Sequence, residues 1–109
     1  MQVYALTTCD TCRKALAALR AAGHEPEVTD IRRDGVPEKA LAAMLAALGP
    51  DRLVNRRSTT WRALPEAERE GPAARVLADH PTLMKRPVIH HQGRWHAGWD
   101  ADVRATLLG

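Results

Sequence analysis

The sequence predicts an α/β fold in which a βαβ unit, a central run of helices and a ββα unit share one mixed sheet. Three observations predict it. An apolar run at residues 3–6 leads into an Ala/Leu-rich helical stripe and then a second strand, all within about thirty residues. The stretch from about residue 36 to residue 80 has helical spacing punctuated by Gly-Pro pairs. A turn signal, Gln92-Gly93, separates two short strands ahead of a final helix.

Each element has its own justification. Val3, Tyr4, Ala5 and Leu6 read as a short buried strand ended by Thr7-Thr8. A helix follows from residue 10 to about residue 22, with Ala15, Leu16, Leu19 and Ala22 as its buried stripe and Gly23 as its C-terminal cap. Val28 and Ile31 mark a second strand after Pro26, and the crossover is expected to be right-handed. Asp34-Gly35-Val36-Pro37 is a turn, and Pro37 suits the first turn of the next helix. Leu41, Met44, Leu45 and Leu48 share one face of that helix, which Gly49-Pro50 stops. Residues 53–64 read as irregular and polar. Another helix starts by Pro65 or Glu66, Gly71-Pro72 interrupts it, and a further one spans residues 73–80. Strands at 88–91 and 94–97 form the hairpin. Asp100 then caps a last helix with Val103, Leu107 and Leu108 packing inward. This order is the thioredoxin-like plan with a helical insertion at about residues 36–80, one domain over residues 1–109.

Composition narrows the class. A hydrophobic content of 45% with 27% charged residues fits a soluble globular chain. No apolar run approaches the ~20 residues needed to span a bilayer, and no targeting segment is evident, so a cytoplasmic protein without membrane contact is expected. Arginine dominates the basic residues, since only Lys14, Lys39 and Lys85 are lysines. Two readings stay open: a solvated Arg-rich surface, or an anion site built from guanidinium forks. Nucleic acid is not an expected partner, because Phe is absent, Tyr occurs once and the net charge is only +3.

The chemistry concentrates at Thr8-Cys9-Asp10-Thr11-Cys12-Arg13-Lys14, which holds both cysteines of the chain. A Cys-x-x-Cys between a strand and a helix offers its first sulfur at a helix N-terminus, where unpaired N–H groups stabilise a thiolate. A structural zinc site needs two further ligands, yet no third cysteine exists and none of the five histidines has a convincing ligand spacing. A pair of merely buried cysteines is the other bland reading. The redox reading makes Cys9 the nucleophile and Cys12, one helical turn on, the resolving partner. Arg13 and Lys14 favour a Cys9 thiolate, Asp10 opposes it, and Thr8 or Thr11 hydroxyls are candidate donors; the expected net effect is a lowered Cys9 pKa. Lys85-Arg86-Pro87 precedes a strand. In the thioredoxin-like plan a proline there is commonly cis and would set Arg86 near Cys9, while a trans proline starting a strand is the alternative.

Three segments together resemble the arsenate reductase (ArsC)/Spx family. They are Cys9-Asp10-Thr11-Cys12-Arg13-Lys14-Ala15, the run Asn-Arg-Arg-Ser-Thr-Thr-Trp-Arg-Ala-Leu at residues 55–64, and Lys85-Arg86-Pro87 with a later Gly98-Trp99. In order and spacing they cover nearly the whole chain. The middle segment is most similar to the YffB-like branch, small proteins associated with glutathione-dependent thiol reduction. The resemblance implies a thioredoxin-like core, a reactive cysteine at Cys9, and an oxyanion-binding arginine before the strand proline, here Arg86 beside Pro87. It also implies a departure. Glutaredoxin-linked arsenate reductases use two further arginines; one would fall near Gly98-Trp99, where none stands, and among Arg52, Arg56 and Arg57 none is a clear match. The second cysteine resembles Spx regulators, whose Cys-x-x-Cys is a disulfide switch and which bind RNA polymerase. The ten residues after Trp99 leave little room for their longer C-terminal tail.

The expected function is therefore a small thiol-dependent reductase in which Cys9 attacks a disulfide or an oxyanion. Glutathione or another thiol serves as co-substrate, and no cofactor or metal is bound. Arg86, with Arg57, Arg13, Thr8 and Pro87 around it, forms the expected anion site. Glutaredoxin, thioredoxin or RNA polymerase are the candidate macromolecular partners of an expected monomer. The alternatives are an Spx-like redox-switch regulator and a true arsenate reductase. Trp61, Trp95 and Trp99 are expected to pack, and His90 and His91, adjacent on a strand, to face opposite ways.

Overall fold

An apolar strand without a polar face needs cover on both sides, and β1 (Gln2–Ala5) receives it in the computed structural model, which describes residues 1–109. Alternate side chains of a strand point to opposite faces. Val3 and Ala5 enter a core with Cys12, Leu16 and Leu19 of α1 (Asp10–Ala21) and Val103 and Leu107 of α7 (Ala101–Leu108). Tyr4 and Leu6 enter a second, larger core on the other face, where the central helices pack.

The sheet has the order β2-β1-β3-β4. Strand β2 (Glu27–Asp30) runs parallel to β1, as a βαβ unit requires, with Val3 opposite Val28. Strand β3 (Val88–His91) is antiparallel to β1, and β4 (Arg94–Ala97) returns beside β3. Their turn puts positive φ at Gln92 (51°) and Gly93 (76°), the type I′ geometry that matches strand twist. The sheet is mixed and the class α/β, as the sequence predicts.

The insertion supplies the second layer. It comprises α2 (Glu38–Leu48), α3 (Pro50–Leu53), α4 (Thr59–Ala63), α5 (Glu66–Arg69) and α6 (Ala73–Asp79), followed by a 3-10 turn at Pro81–Leu83. Leu41, Met44 and Leu48 of α2 and Val76 and Leu77 of α6 are buried together with Leu53, Leu83 and Met84. The insertion is also tied to the chain that leads into β3. Val54 and Met84 form an isolated antiparallel bridge, Asn55 N–H donates to Leu83 O at 2.7 Å, and Lys85 N–H donates to Leu53 O at 2.8 Å.

Three sequence expectations need correction. Residues 53–64 are irregular only in part: Pro50 opens a short helix that ends at Leu53, residues 54–58 are irregular as expected, and Ser58 then caps α4 by accepting from Trp61 N–H at 3.1 Å. In α1 the fourth member of the buried stripe is Cys12 rather than Ala22, which is the exposed capping residue. In α7 Asp100 caps as expected, accepting from Val103 N–H at 2.9 Å, but Leu108 is 39% exposed. Residues 103 and 107 lie four apart on one helix face, and 108 turns away from it.

The two leucines give a contrast in stability. Leu83→Ala opens a cavity at a fully buried position and should cost about 2–5 kcal/mol in urea unfolding, whereas Leu108→Ala should stay within about 0.5 kcal/mol of wild type.

Candidate functional site

Cys9 stands where the two cores meet. It follows the buried end of β1, is the N-cap residue of α1 in extended conformation (φ −88°, ψ 123°), and packs partly against both hydrophobic clusters. Its own N–H donates to Leu6 O at 3.1 Å, and its carbonyl accepts the first bond of the helix from Arg13 N–H at 3.0 Å. No side chain caps this helix, so its first N–H groups face the sulfur. Cys9 is half-buried, Cys12 is fully buried, and neither is in a disulfide.

The two thiols have opposite electrostatics. Partial burial pushes the Cys9 pKa up, but the Cys12 N–H, a hydrogen bond from the Cys12 thiol, the charge of Arg86 and the Thr11 N–H together outweigh it, and the net shift is down. Burial drives Cys12 the other way, to about 11, and the neighbouring Cys9 adds to the rise. One sulfur is thus poised as the thiolate and the other as its hydrogen-bond donor.

Arg86 reaches this place from the segment that leads into β3, the strand beside β1. The Arg86–Pro87 bond is cis, Pro87 is buried, and its carbonyl accepts from Gly98 N–H at 2.9 Å. The guanidinium Nη1 donates to Thr82 O at 2.7 Å. That bond fixes one end of the fork, which leaves further donors on the same group for an anion near Cys9.

The other expected site residues are placed less centrally. Arg13 is exposed and pairs with Asp10, its neighbour on the first turn, so their charges largely cancel beside Cys9. Thr8 is exposed, and Thr11 acts through its backbone N–H rather than its hydroxyl. Arg57 lies on the insertion, its N–H donating to Asn55 Oδ1 at 3.1 Å. Its side chain lines an open groove with Asn55, Arg56 and Lys85. Arg56 in that groove is paired with Asp51 and lies 5.7 Å from the Trp61 ring centre.

Sequence reasoning missed Asp30. Its carboxylate accepts from the N–H groups of Arg33 (2.9 Å) and Arg32 (3.0 Å), and from the hydroxyl (3.1 Å) and N–H (3.4 Å) of Thr7. It therefore fastens the loop that carries Cys9 to the end of β2. The signal was available: an Asp closing a strand before two residues of turn is the pattern of a side chain that caps its own backbone. These bonds, with that from Arg33 N–H the largest influence, hold the Asp30 pKa below its usual value.

A four-stranded mixed sheet with a helical insertion, a cysteine pair at the first helix and a cis-proline opposite defines a thioredoxin-like protein. The comparisons specify which kind. Residues 4–106 match the ArsC family, and the chain belongs to it. An uncharacterized protein of Haemophilus influenzae is 40% identical over 102 residues, covering 90% of each chain. An arsenate reductase of Rhizobium meliloti is 32% identical over 80% of this chain and 66% of its own. The global transcriptional regulator Spx of Bacillus subtilis is 26% identical over 97% of this chain and 85% of its own. Among solved structures, the YffB protein superposes with a TM-score of 0.90 at 28% identity, covering 99% of this chain and 98% of that one.

Two measurements follow. Iodoacetamide alkylation of Cys9 in the Cys12→Ser background avoids the second thiol; compared with it, Cys12→Ser/Arg86→Gln should need a higher pH to reach half-maximal rate, because a stabilising positive charge is lost. The Asp30 charge contributes stability that is present above about pH 4 and is lost as pH falls below it. Asp30→Asn should therefore unfold at lower urea than wild type at pH 7, with the gap narrowing toward about pH 3.

Proposed function

We propose that this ArsC-family chain is a small thiol-dependent reductase with Cys9 as nucleophile. The observation that carries the reading is the asymmetry of the cysteine pair: a half-exposed sulfur with lowered pKa at a helix N-cap, and a buried one at about 11. The Cys9 thiolate attacks one sulfur of a disulfide substrate, forming a mixed disulfide and releasing the other half as a thiolate. While Cys9 is a thiolate its charge helps keep Cys12 protonated. Once Cys9 is in the mixed disulfide that charge is gone, and Cys12 becomes easier to ionise.

Cys12 then gives its proton to solvent and attacks Cys9 Sγ, which expels the remaining half of the substrate and closes the intramolecular disulfide. Two molecules of an external thiol such as glutathione return the pair to the dithiol and leave as their own disulfide. Alternatively one external thiol resolves the mixed disulfide directly. Arg86, held through Thr82 O, is the anion-binding group for a carboxylate or oxyanion on the substrate. Glutaredoxin or thioredoxin can stand in for the small thiol in the same exchange.

A second reading is supported by the similarity to Spx, which extends over nearly the whole chain, and by the Cys-x-x-Cys itself. There the same Cys9–Cys12 disulfide alters a binding surface for RNA polymerase instead of completing a turnover. A third, arsenate reduction, is supported by the Rhizobium relative.

The test is a glutathione-coupled reduction assay with a small disulfide and, in parallel, with arsenate. Cys9→Ser should lower the rate by at least ~10³-fold, as loss of a covalent nucleophile does. A variant with wild-type activity would sink the assignment. Mass spectrometry after mild oxidation in the presence of glutathione should show loss of two hydrogens in wild type and a glutathione adduct in Cys12→Ser. Redox-dependent capture of RNA polymerase with no reductase activity would favour the regulator.

A further inference from the structure

At the end of the sheet opposite Cys9, three histidines and an unpaired arginine gather with no acidic side chain among the charged groups that act on them. Strand β3 finishes at that end, since its penultimate residue, His90, is registered with Gln2 at the start of β1. A cavity of about 300 Å³ opens there, lined by His91, Gln92, Arg94, His96, Thr106 and Leu107. His91 and Arg94 are cross-strand partners, so both side chains rise from the same face of the hairpin. His96, opposite Ile89 on the neighbouring pair, shares that face. From α7 come Thr106, whose hydroxyl donates to Asp102 O at 2.9 Å, and the end of the helix. His24 bonds Leu107 O through Nε2 at 3.0 Å and meets the His91 ring edge-on at 5.2 Å, which braces the wall.

The charged groups of this place are of one sign, with only the partial negative end of α7 set against them. The charged groups acting on His91 are His24, the Met1 amino group and His90; those acting on His96 are Arg94, His91 and Arg52. All are basic. Arg94 takes part in none of the four ion pairs of the protein. Burial, first, and this mutual repulsion, second, hold both His91 and His96 below their usual pKa. A cluster of cations that must shed protons to coexist is short of a counter-charge.

We propose that this cavity is an anion site for a phosphate-class dianion, with the Arg94 guanidinium as its fork and His91 and His96 as flanking donors. A guanidinium matches the spacing of phosphate oxygens, and imidazolium and amide groups supply the remaining donors. A metal cation would meet Arg94 instead of a ligand. The dianion supplies the missing negative charge, so both imidazoles take up protons from solvent as it binds, and affinity rises as pH falls through the usual histidine range near ~6.5. This site is separate from Cys9 and does not rest on the reductase reading.

NMR titration of the histidine ring signals with inorganic phosphate, against sodium chloride at equal ionic strength, tests it. Saturable shifts at His91 and His96 with raised pKa values are expected. Arg94→Gln should weaken binding about tenfold or more, and Arg94→Lys should weaken it less. Arg94 is an exposed strand residue, and unchanged dispersion of the remaining signals verifies that the variants fold. Tighter saturation by glycerol 3-phosphate than by phosphate supports the site and assigns it to a monoester; the reverse order supports it and assigns free phosphate. Absence of saturation through the millimolar range, equal shifts with chloride, or unchanged binding in Arg94→Gln overturns the proposal.

Discussion

Burial of β1 on both faces is the constraint from which the rest of the structure follows. Four residues place Val3 and Ala5 in one core and Tyr4 and Leu6 in the other. A strand with two apolar faces cannot sit at a solvent-facing edge, so it is central, with β2 on one side and β3 on the other. Both cores end where β1 ends, and the next turn of chain is Cys9. The sulfur is therefore held by packing from two layers while the helix N-terminus keeps it partly open. Without the second layer, the strand would lose cover for Tyr4 and Leu6, and the position of Cys9 would lose half of its walls.

Acidity within the cysteine pair comes from unequal depth. Both thiols feel the same Arg86, but the helix N–H groups of Thr11 and Cys12 face Cys9, while Cys12 is one turn deeper and fully buried. Desolvation penalises the charged form in proportion to burial, so the deeper thiol keeps its proton and lends it as a hydrogen bond to the shallower one. Unequal access to water thus raises Cys12 above Cys9, and the hydrogen bonds and Arg86 then carry Cys9 below its ordinary value.

Much of this was legible in the sequence. Apolar runs, the Gly23 and Asp100 caps and the Gln92-Gly93 turn specify their elements through local backbone chemistry, and the fold follows from their order. The cysteine motif and Lys85-Arg86-Pro87 located the two halves of the candidate site. What remained hidden depended on three-dimensional neighbours. The capping role of Ser58 in a polar stretch looks like loop until Trp61 N–H is seen to need a partner. The cancellation of Arg13 by Asp10 is a matter of rotamers, invisible in a string of letters. The role of Asp30 depends on the β1–α1 and β2–α2 loops being side by side, which only the parallel pairing of β1 and β2 brings about.

The bridge between the insertion and the chain before β3 gives the helical layer a mechanical part in the site. Residues 53–55 are stitched to residues 83–85 by two short backbone bonds, and the next residue is Arg86. The helical layer therefore fixes the backbone from which Arg86 projects, one peptide unit beyond the last stitched residue. Because that charge contributes to the acidity of Cys9, the insertion has a structural share in setting it.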